Sequence, residues 1–151
     1  MSDCCSSDNS SCNSGKDKKS FPRKFSCPIN SKDYVAVPKK TMLHHLNVPW
    51  EKELSDEQYY FCSDSGCDVV YFGLSGAVIY KNELRTQIGV KEKDENVLIC
   101  YCFGVSTAAA KKNPDIKNFV TQKTKENLCD CETRNPSGRC CLKDFPKQIK
   151  Q

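Results

Sequence analysis

Cysteine is the residue in this sequence with the most chemistry to offer. There are 12 in 151 residues, falling into three sets: Cys4, Cys5 and Cys12; then Cys27, Cys62 and Cys67; then Cys100, Cys102, Cys129, Cys131, Cys140 and Cys141. A share of about 8% is where composition itself becomes a signal, for disulfides in an oxidising compartment or for metal and redox work in a reducing one. The opening Met-Ser-Asp-Cys-Cys-Ser-Ser-Asp-Asn-Ser has no basic start, apolar centre or cleavage pattern, so it predicts a cytoplasmic chain with thiolates free to bind metal.

The middle set has zinc-ribbon spacing. Cys62-Ser63-Asp64-Ser65-Gly66-Cys67 is a C-x4-C turn between two aromatic, β-type runs, and Cys27-Pro28-Ile29-Asn30 precedes it. A strand ending at Cys62 and another opening after Cys67 let both sulfurs reach one ion at about 2.3 Å. Gly66 is expected to supply a special backbone angle in the turn. Only three thiolates converge, and the fourth ligand is left among His44, His45, Asp33, Asn30 and water. His44 is favoured because imidazole suits zinc better than an amide. No general base stands at useful spacing, so the site reads as structural.

The last set has more sulfur than one site needs. Cys100-Tyr101-Cys102 is a tight C-x-C, and Cys129, Cys131, Cys140 and Cys141 follow about thirty to forty residues later. A [2Fe–2S] cluster takes four thiolates from such a group. Asn135-Pro136-Ser137-Gly138 has each residue where a type I turn favours it, which folds Cys131 toward Cys140 or Cys141. Adjacent Cys140 and Cys141 fit best if one ligates and the other packs as a small hydrophobe, and Cys129 has room to be spare. Sulfur count alone also admits a second zinc.

Around these sites the expected fold class is α+β. A small antiparallel β unit at 25–92 binds zinc, and a small helical unit at 97–145 binds the cluster. A disordered cysteine-containing tail lies at 1–24, and a short tail at 146–151. Tyr34–Val37, Tyr59–Cys62, Val69–Phe72 and Ala77–Tyr80 read as strands. Leu84, Thr86, Ile88 and Val90 continue at period two, and Thr41–Leu46 is ambiguous. Lys91–Asn96 reads as a charged hinge. Ser106 or Thr107 caps a helix through Lys112, and Asp115 caps a second with Ile116, Phe119 and Val120 on one face. Pro146 limits any last helix. Units of this size bury little core, so metal would serve each as a staple.

The formal charge is +4. Four thiolates around a two-iron core and three around zinc would bring it to about +1, which argues against a nucleic-acid partner. No stretch reaches the roughly 20 apolar residues of a membrane helix. The adjacent histidines face no legible nucleophile, so no enzyme is expected. The tail thiols read as a flexible tag or as an auxiliary soft-metal arm.

Three stretches together resemble the N-terminal metal region of CopZ-type copper chaperones. They are Tyr59–Cys62 with Cys67–Phe72, Leu84–Lys91 with Cys100-Tyr101-Cys102, and Asn135–Cys141. The resemblance spans roughly 25–145. It implies a zinc-binding β unit followed by a [2Fe–2S] unit similar to bacterioferritin-associated ferredoxin. By motif position it assigns the cluster to Cys100, Cys102, Cys131 and Cys141, and zinc to Cys27, Cys62 and Cys67. The family's second knuckle cysteine falls on Asn30. The sequence holds no C-x-x-C, the motif of the family's copper-delivering M-x-C-x-x-C domain. The function this implies is a one-electron carrier linked to copper handling, with a copper chaperone or redox protein as partner. A non-redox module with two zinc sites and a thiol-rich copper buffer are the alternatives.

Overall fold

The aromatic and β-branched runs of the first half pair in the order they occur. In a computed structural model that describes residues 20–149, β1 (Lys24–Ser26), β2 (Asp33–Val37), β3 (Tyr59–Phe61), β4 (Val69–Gly73) and β5 (Val78–Tyr80) form one antiparallel meander, each strand beside the next. Side chains alternate across it as a pleated strand requires, except in β4, where an irregularity between Val69 and Tyr71 puts Val70 and Tyr71 in the same cluster. Tyr59 and Phe61 face one side, where they join Val37, Met42, Leu46, Val70, Tyr71, Ile79 and Ile88. Tyr60 and Cys62 face the other, with Phe72, Val69, Cys27 and Cys67. All five residues of β4 are buried, since both faces of the sheet are covered.

The ambiguous Thr41–Leu46 stretch resolves as part of helix α1 (Lys39–His45), which buries Thr41, Met42 and His45. The period-two run from Leu84 to Val90 does not become a strand. It forms a single bridge, Leu46 to Leu84, and then a 3₁₀ turn at Gly89–Lys91. Gly89 is pressed so tightly on the chain that an added Cβ would lie 2.1 Å from the Leu98 carbonyl oxygen, which bends the segment away from the sheet edge.

In the second half, β6 (Leu98–Cys100) and β7 (Val105–Ser106) make a hairpin whose turn uses Gly104 at φ +68°. Helix α2 (Thr107–Lys112) follows, and Ser106 Oγ accepts from the Ala109 amide at 3.1 Å as its cap. Helix α3 (Ile116–Lys125) begins after Asp115, whose side chain makes no capping bond; Asn113 Oδ1 receives the Asp115 amide instead. Val120 is buried, whereas Phe119 stays half-exposed, packed edge-on against Phe103. A short helix α4 (Cys131–Arg134), a 3₁₀ turn at Cys141–Lys143 and a last helix α5 (Asp144–Ile149) complete the described chain. Pro146 does not prevent α5, because it lies in the first turn, where a helix leaves its N–H groups unpaired.

The halves meet through hydrogen bonds from the β unit to one loop. Thr41 Oγ1 donates to the Glu132 carbonyl, His45 Nε2 to the Thr133 carbonyl at 2.9 Å, and the Tyr71 hydroxyl to the Pro136 carbonyl at 2.5 Å. The Asn135–Gly138 turn forms as expected, with the Gly138 amide 2.8 Å from the Asn135 carbonyl and Gly138 at φ +70°. The tail thiols Cys4, Cys5 and Cys12, and the first 19 residues of the expected disordered tail, lie outside the described residues. Among the described residues no helix is long and apolar enough to cross a membrane.

Candidate metal centres

Strand direction alone brings three cysteines to one end of the sheet. Because β1 and β3 both run antiparallel to β2, their C-terminal ends coincide, and β4 starts there. Cys27 follows β1, Cys62 follows β3 and Cys67 precedes β4. Two turns lock the arrangement. In the first, the Cys27 amide donates to the Lys32 carbonyl and the Ser31 amide to the Cys27 carbonyl, each at 2.9 Å, with Ser31 at φ +61°. In the second, Asp64 Oδ1 accepts from the Gly66 amide at 2.9 Å, and the Cys67 amide donates to the Asp64 carbonyl. Gly66 is not in the left-handed region and an added Cβ would make only ordinary contact. The Asp64 side chain, rather than glycine's freedom, sets this turn. All three sulfurs are buried and lie within 4.8 Å of one another.

Cys62 is the most heavily supported of the three. Asn30 Nδ2 lies 3.4 Å and Lys91 Nζ 3.6 Å from its sulfur. Burial pushes its thiol up, but the Asp64 amide, the Lys91 ammonium, Tyr34 and Asn30 together hold it below the ordinary thiol value. Burial raises the Cys67 thiol. Lys91 was expected in a charged hinge and is instead 3% exposed.

The remaining candidate ligands lie elsewhere. His44 does not join the cysteines: it is exposed, packs edge-on against His45 at 4.9 Å and meets the Arg85 guanidinium at 3.3 Å. His45 is buried between Thr86 Oγ1 and the Thr133 carbonyl. Asp33 accepts from the Ser26 hydroxyl. Asn30 is at the site, but its oxygen is taken by the Lys32 amide at 2.9 Å and it turns its nitrogen to the sulfur. An amide nitrogen donates hydrogen bonds and does not ligate, so Asn30 supports Cys62 from outside the ligand set.

The second set also converges. Cys100 ends β6, Cys102 lies in the hairpin turn, Cys131 opens α4 and Cys141 opens the last 3₁₀ turn. Cys102 and Cys131 are 3.8 Å apart, sulfur to sulfur. Cys141 lies beside Cys100 and Cys131, whose sulfurs push its thiol up while Cys141 holds Cys131 down. The Asp130 amide points at Cys102 Sγ from 3.1 Å. Cys100, Cys131 and Cys141 are buried in an apolar shell of Ile99, Val105, Ala110, Val120 and Phe145. Cys129 and Cys140 lie beside Cys131, partly exposed. Among the described residues, the first set is the sole Cys, His, Asp and Glu group with three ligand atoms mutually within 4.8 Å, so the second is the more extended.

A cleft of about 610 Å³ runs between the halves, lined by Ser63, Asp64 and Ser65 from the first cysteine turn and by Tyr101 and Asn135 from the second half; no cysteine lines it.

Residues 24–85 match the CopZ-type zinc binding domain family. The copper chaperone CopZ of Archaeoglobus fulgidus is 36% identical over 121 residues, covering 76% of this chain and 57% of that protein. The X-ray structure of the A. fulgidus CopZ N-terminal domain matches with a TM-score of 0.65 at 32% identity, covering 82% of this chain and 96% of that one.

The chain belongs to the CopZ N-terminal domain family.

A CopZ-type zinc-binding domain is what the three-thiol turn fits, since three buried sulfurs this close suit one tetrahedral ion. The chain spans a little over half the length of the copper chaperone it matches. Within this CopZ-type fold, the contacts that sequence reasoning missed are Lys91 on Cys62 and the Tyr71 and His45 bonds to the second cysteine loop. Their partners are 29 to 88 residues distant, and no local pattern encodes such pairings.

Proposed function

We propose that this chain is a two-centre metalloprotein and one-electron carrier linked to copper handling. Zinc is held by Cys27, Cys62 and Cys67 in a unit spanning 25–92, and a [2Fe–2S] cluster by Cys100, Cys102, Cys131 and Cys141 in a unit spanning 97–145. The observation behind the second centre is its shape. A single zinc ion at about 2.3 Å from each sulfur would draw all four sulfurs to about 3.8 Å apart. Here Cys102 and Cys131 meet that spacing, yet no three of the four sulfurs lie within 4.8 Å of one another. A site stretched in this way suits two bridged irons better than one ion.

The cluster supplies a one-electron couple, tuned by hydrogen bonds to sulfur and by exposure. The chain contributes the Asp130 amide on Cys102, an apolar shell on the buried side and partial exposure at Cys102. That exposure gives a redox partner or copper-handling protein an approach to the second centre. The reading is of a cytoplasmic protein, since thiolates in this number persist where the medium is reducing, and of an electron-transfer partner rather than an enzyme.

The test is anaerobic purification, iron and acid-labile sulfide analysis, and EPR after dithionite. Two irons, two sulfides and one S = 1/2 signal per chain are expected. Alanine at Cys100, Cys102, Cys131 or Cys141 should abolish the signal, whereas alanine at Cys129 or Cys140 should keep it. A colourless protein with about two zinc ions per chain would refute the electron-carrier reading in favour of a structural module.

A further inference from the structure

Lys91 is 3% exposed, and among the described residues it forms no ion pair with a carboxylate. Its Nζ donates to the Asp64 carbonyl at 2.8 Å and the Cys67 carbonyl at 2.9 Å, and its third neighbour is Cys62 Sγ at 3.6 Å. All three donors of the ammonium are thus spent inside the Cys62–Cys67 turn. A buried cation without a counter-charge is strongly disfavoured. The carbonyls offer dipoles only, so the sulfur is the one group in contact that can bring a full negative charge.

Three thiolates around a divalent ion carry a net charge of about −1. One ammonium makes the assembly neutral. The fold takes trouble to deliver it. Lys91 closes the 3₁₀ turn in which Gly89 is jammed against Leu98, and the Gly89 amide is bound by the Tyr101 hydroxyl at 2.9 Å. Asn30, the other donor on Cys62 Sγ, is neutral and cannot do the same.

We propose that Lys91 is the built-in counter-charge of the zinc centre: a positioning residue outside the ligand set whose ammonium, held against Cys62, favours the metal-loaded three-thiolate state over the metal-free one. The proposal rests on reading Cys27, Cys62 and Cys67 as the zinc ligands. It differs from a purely structural role in its dependence on the ion. Without zinc, removing the charge while keeping donors for the Asp64 and Cys67 carbonyls should cost the fold little. With zinc bound, the same change uncovers a negative charge.

The test uses the full chain with Lys91→Met and Lys91→Gln, the second retaining donors for the two carbonyls if the first folds poorly. Zinc affinity is read by competition with a chromophoric chelator, and the thermal midpoint is read on zinc-depleted protein. Loss of zinc affinity by about 10- to 100-fold is expected in both variants, with the zinc-depleted midpoint of Lys91→Gln close to that of the unsubstituted chain. Affinity within about twofold of the unsubstituted chain would overturn the proposal, as would a zinc-depleted midpoint of Lys91→Gln that falls in step with its affinity. Cys62→Ser serves as the separate control. If the unsubstituted chain binds no zinc that Cys62→Ser removes, the zinc assignment itself fails, and that outcome differs from either result for Lys91.

Discussion

Acidification should destabilise this fold through one side chain, His45. It is 2% exposed and bonded at both ring nitrogens. A carbonyl can only accept, so Nε2 carries the proton toward Thr133, and Nδ1 must accept from the Thr86 hydroxyl at 2.7 Å. A second proton must break that bond and turn the Thr86 hydroxyl from donor to acceptor, and it charges a buried ring. Burial above all, then His44 and Arg85, hold the imidazole down to about 4, against the pull of the Thr133 carbonyl. The unfolded chain titrates near 6.5, so below that pH it takes up a proton that the native state refuses. Stability is then full above about pH 6.5 and is lost as pH falls toward 4, by about 2 kcal/mol at pH 5 and about 3 kcal/mol in all. The comparison is with His45→Gln, whose amide can donate to Thr133 and accept from Thr86 but does not titrate. Urea midpoints at pH 7 and pH 5 should fall further for the unsubstituted chain than for His45→Gln, by a difference of about 2 kcal/mol. Other groups that protonate in this range, the thiolates included, are common to both proteins and cancel. Equal losses in the two proteins would refute the reasoning.

Two further changes probe the joints around the second centre. Tyr71→Phe removes the hydroxyl that holds the Pro136 carbonyl; leaving that buried acceptor unpaired should cost about 1 to 3 kcal/mol in urea unfolding and hasten loss of cluster absorbance in air. Tyr101→Phe removes the acceptor of the Gly89 amide and the donor to the Gln87 carbonyl. It should cost about 1 to 2 kcal/mol and weaken zinc binding less than Lys91→Met does, read by the same chelator competition.

Strands and turns were legible in the sequence wherever a local pattern fixes them. Tyr59–Phe61 and Val69–Gly73 are aromatic and β-branched with a turn between, and Asn135–Gly138 has its turn residues in order. Ser106 is a cap because a hydroxyl at that position bonds the Ala109 amide whatever lies beyond. The failures have a common cause. Leu84 to Val90 alternates as a strand does, yet its fate is set by Gly89 against Leu98, a close approach that periodicity does not register. Lys91 heads a run of charges and looks solvated, but its partners are Asp64 and Cys67, more than twenty residues back. His44 and His45 are indistinguishable as zinc candidates by type. The helix turns one to solvent and the other inward, and the inward one meets a threonine and a carbonyl instead of sulfur.

The two cysteine sets are tied by the residues between the sulfurs. Tyr101 sits between Cys100 and Cys102, and its hydroxyl fixes the Gly89 amide; Gly89 opens the turn that sets Lys91 on Cys62. On the other side, the sheet that carries Cys62 and Cys67 also carries Tyr71, whose hydroxyl steadies the loop from Cys131 to Cys141. Each centre thus contributes a tyrosine hydroxyl to the backbone that shapes the other. A core this small gains little from apolar burial alone, and metal bound by the folded chain stabilises whatever its ligands are attached to. Zinc at the first centre therefore also stabilises the frame on which the second set of thiols is assembled, even though no ligand is shared. On the proposed reading, this gives a physical reason for a structural ion to stand beside a redox centre: metal at the first set would keep Cys100, Cys102, Cys131 and Cys141 in register for the second.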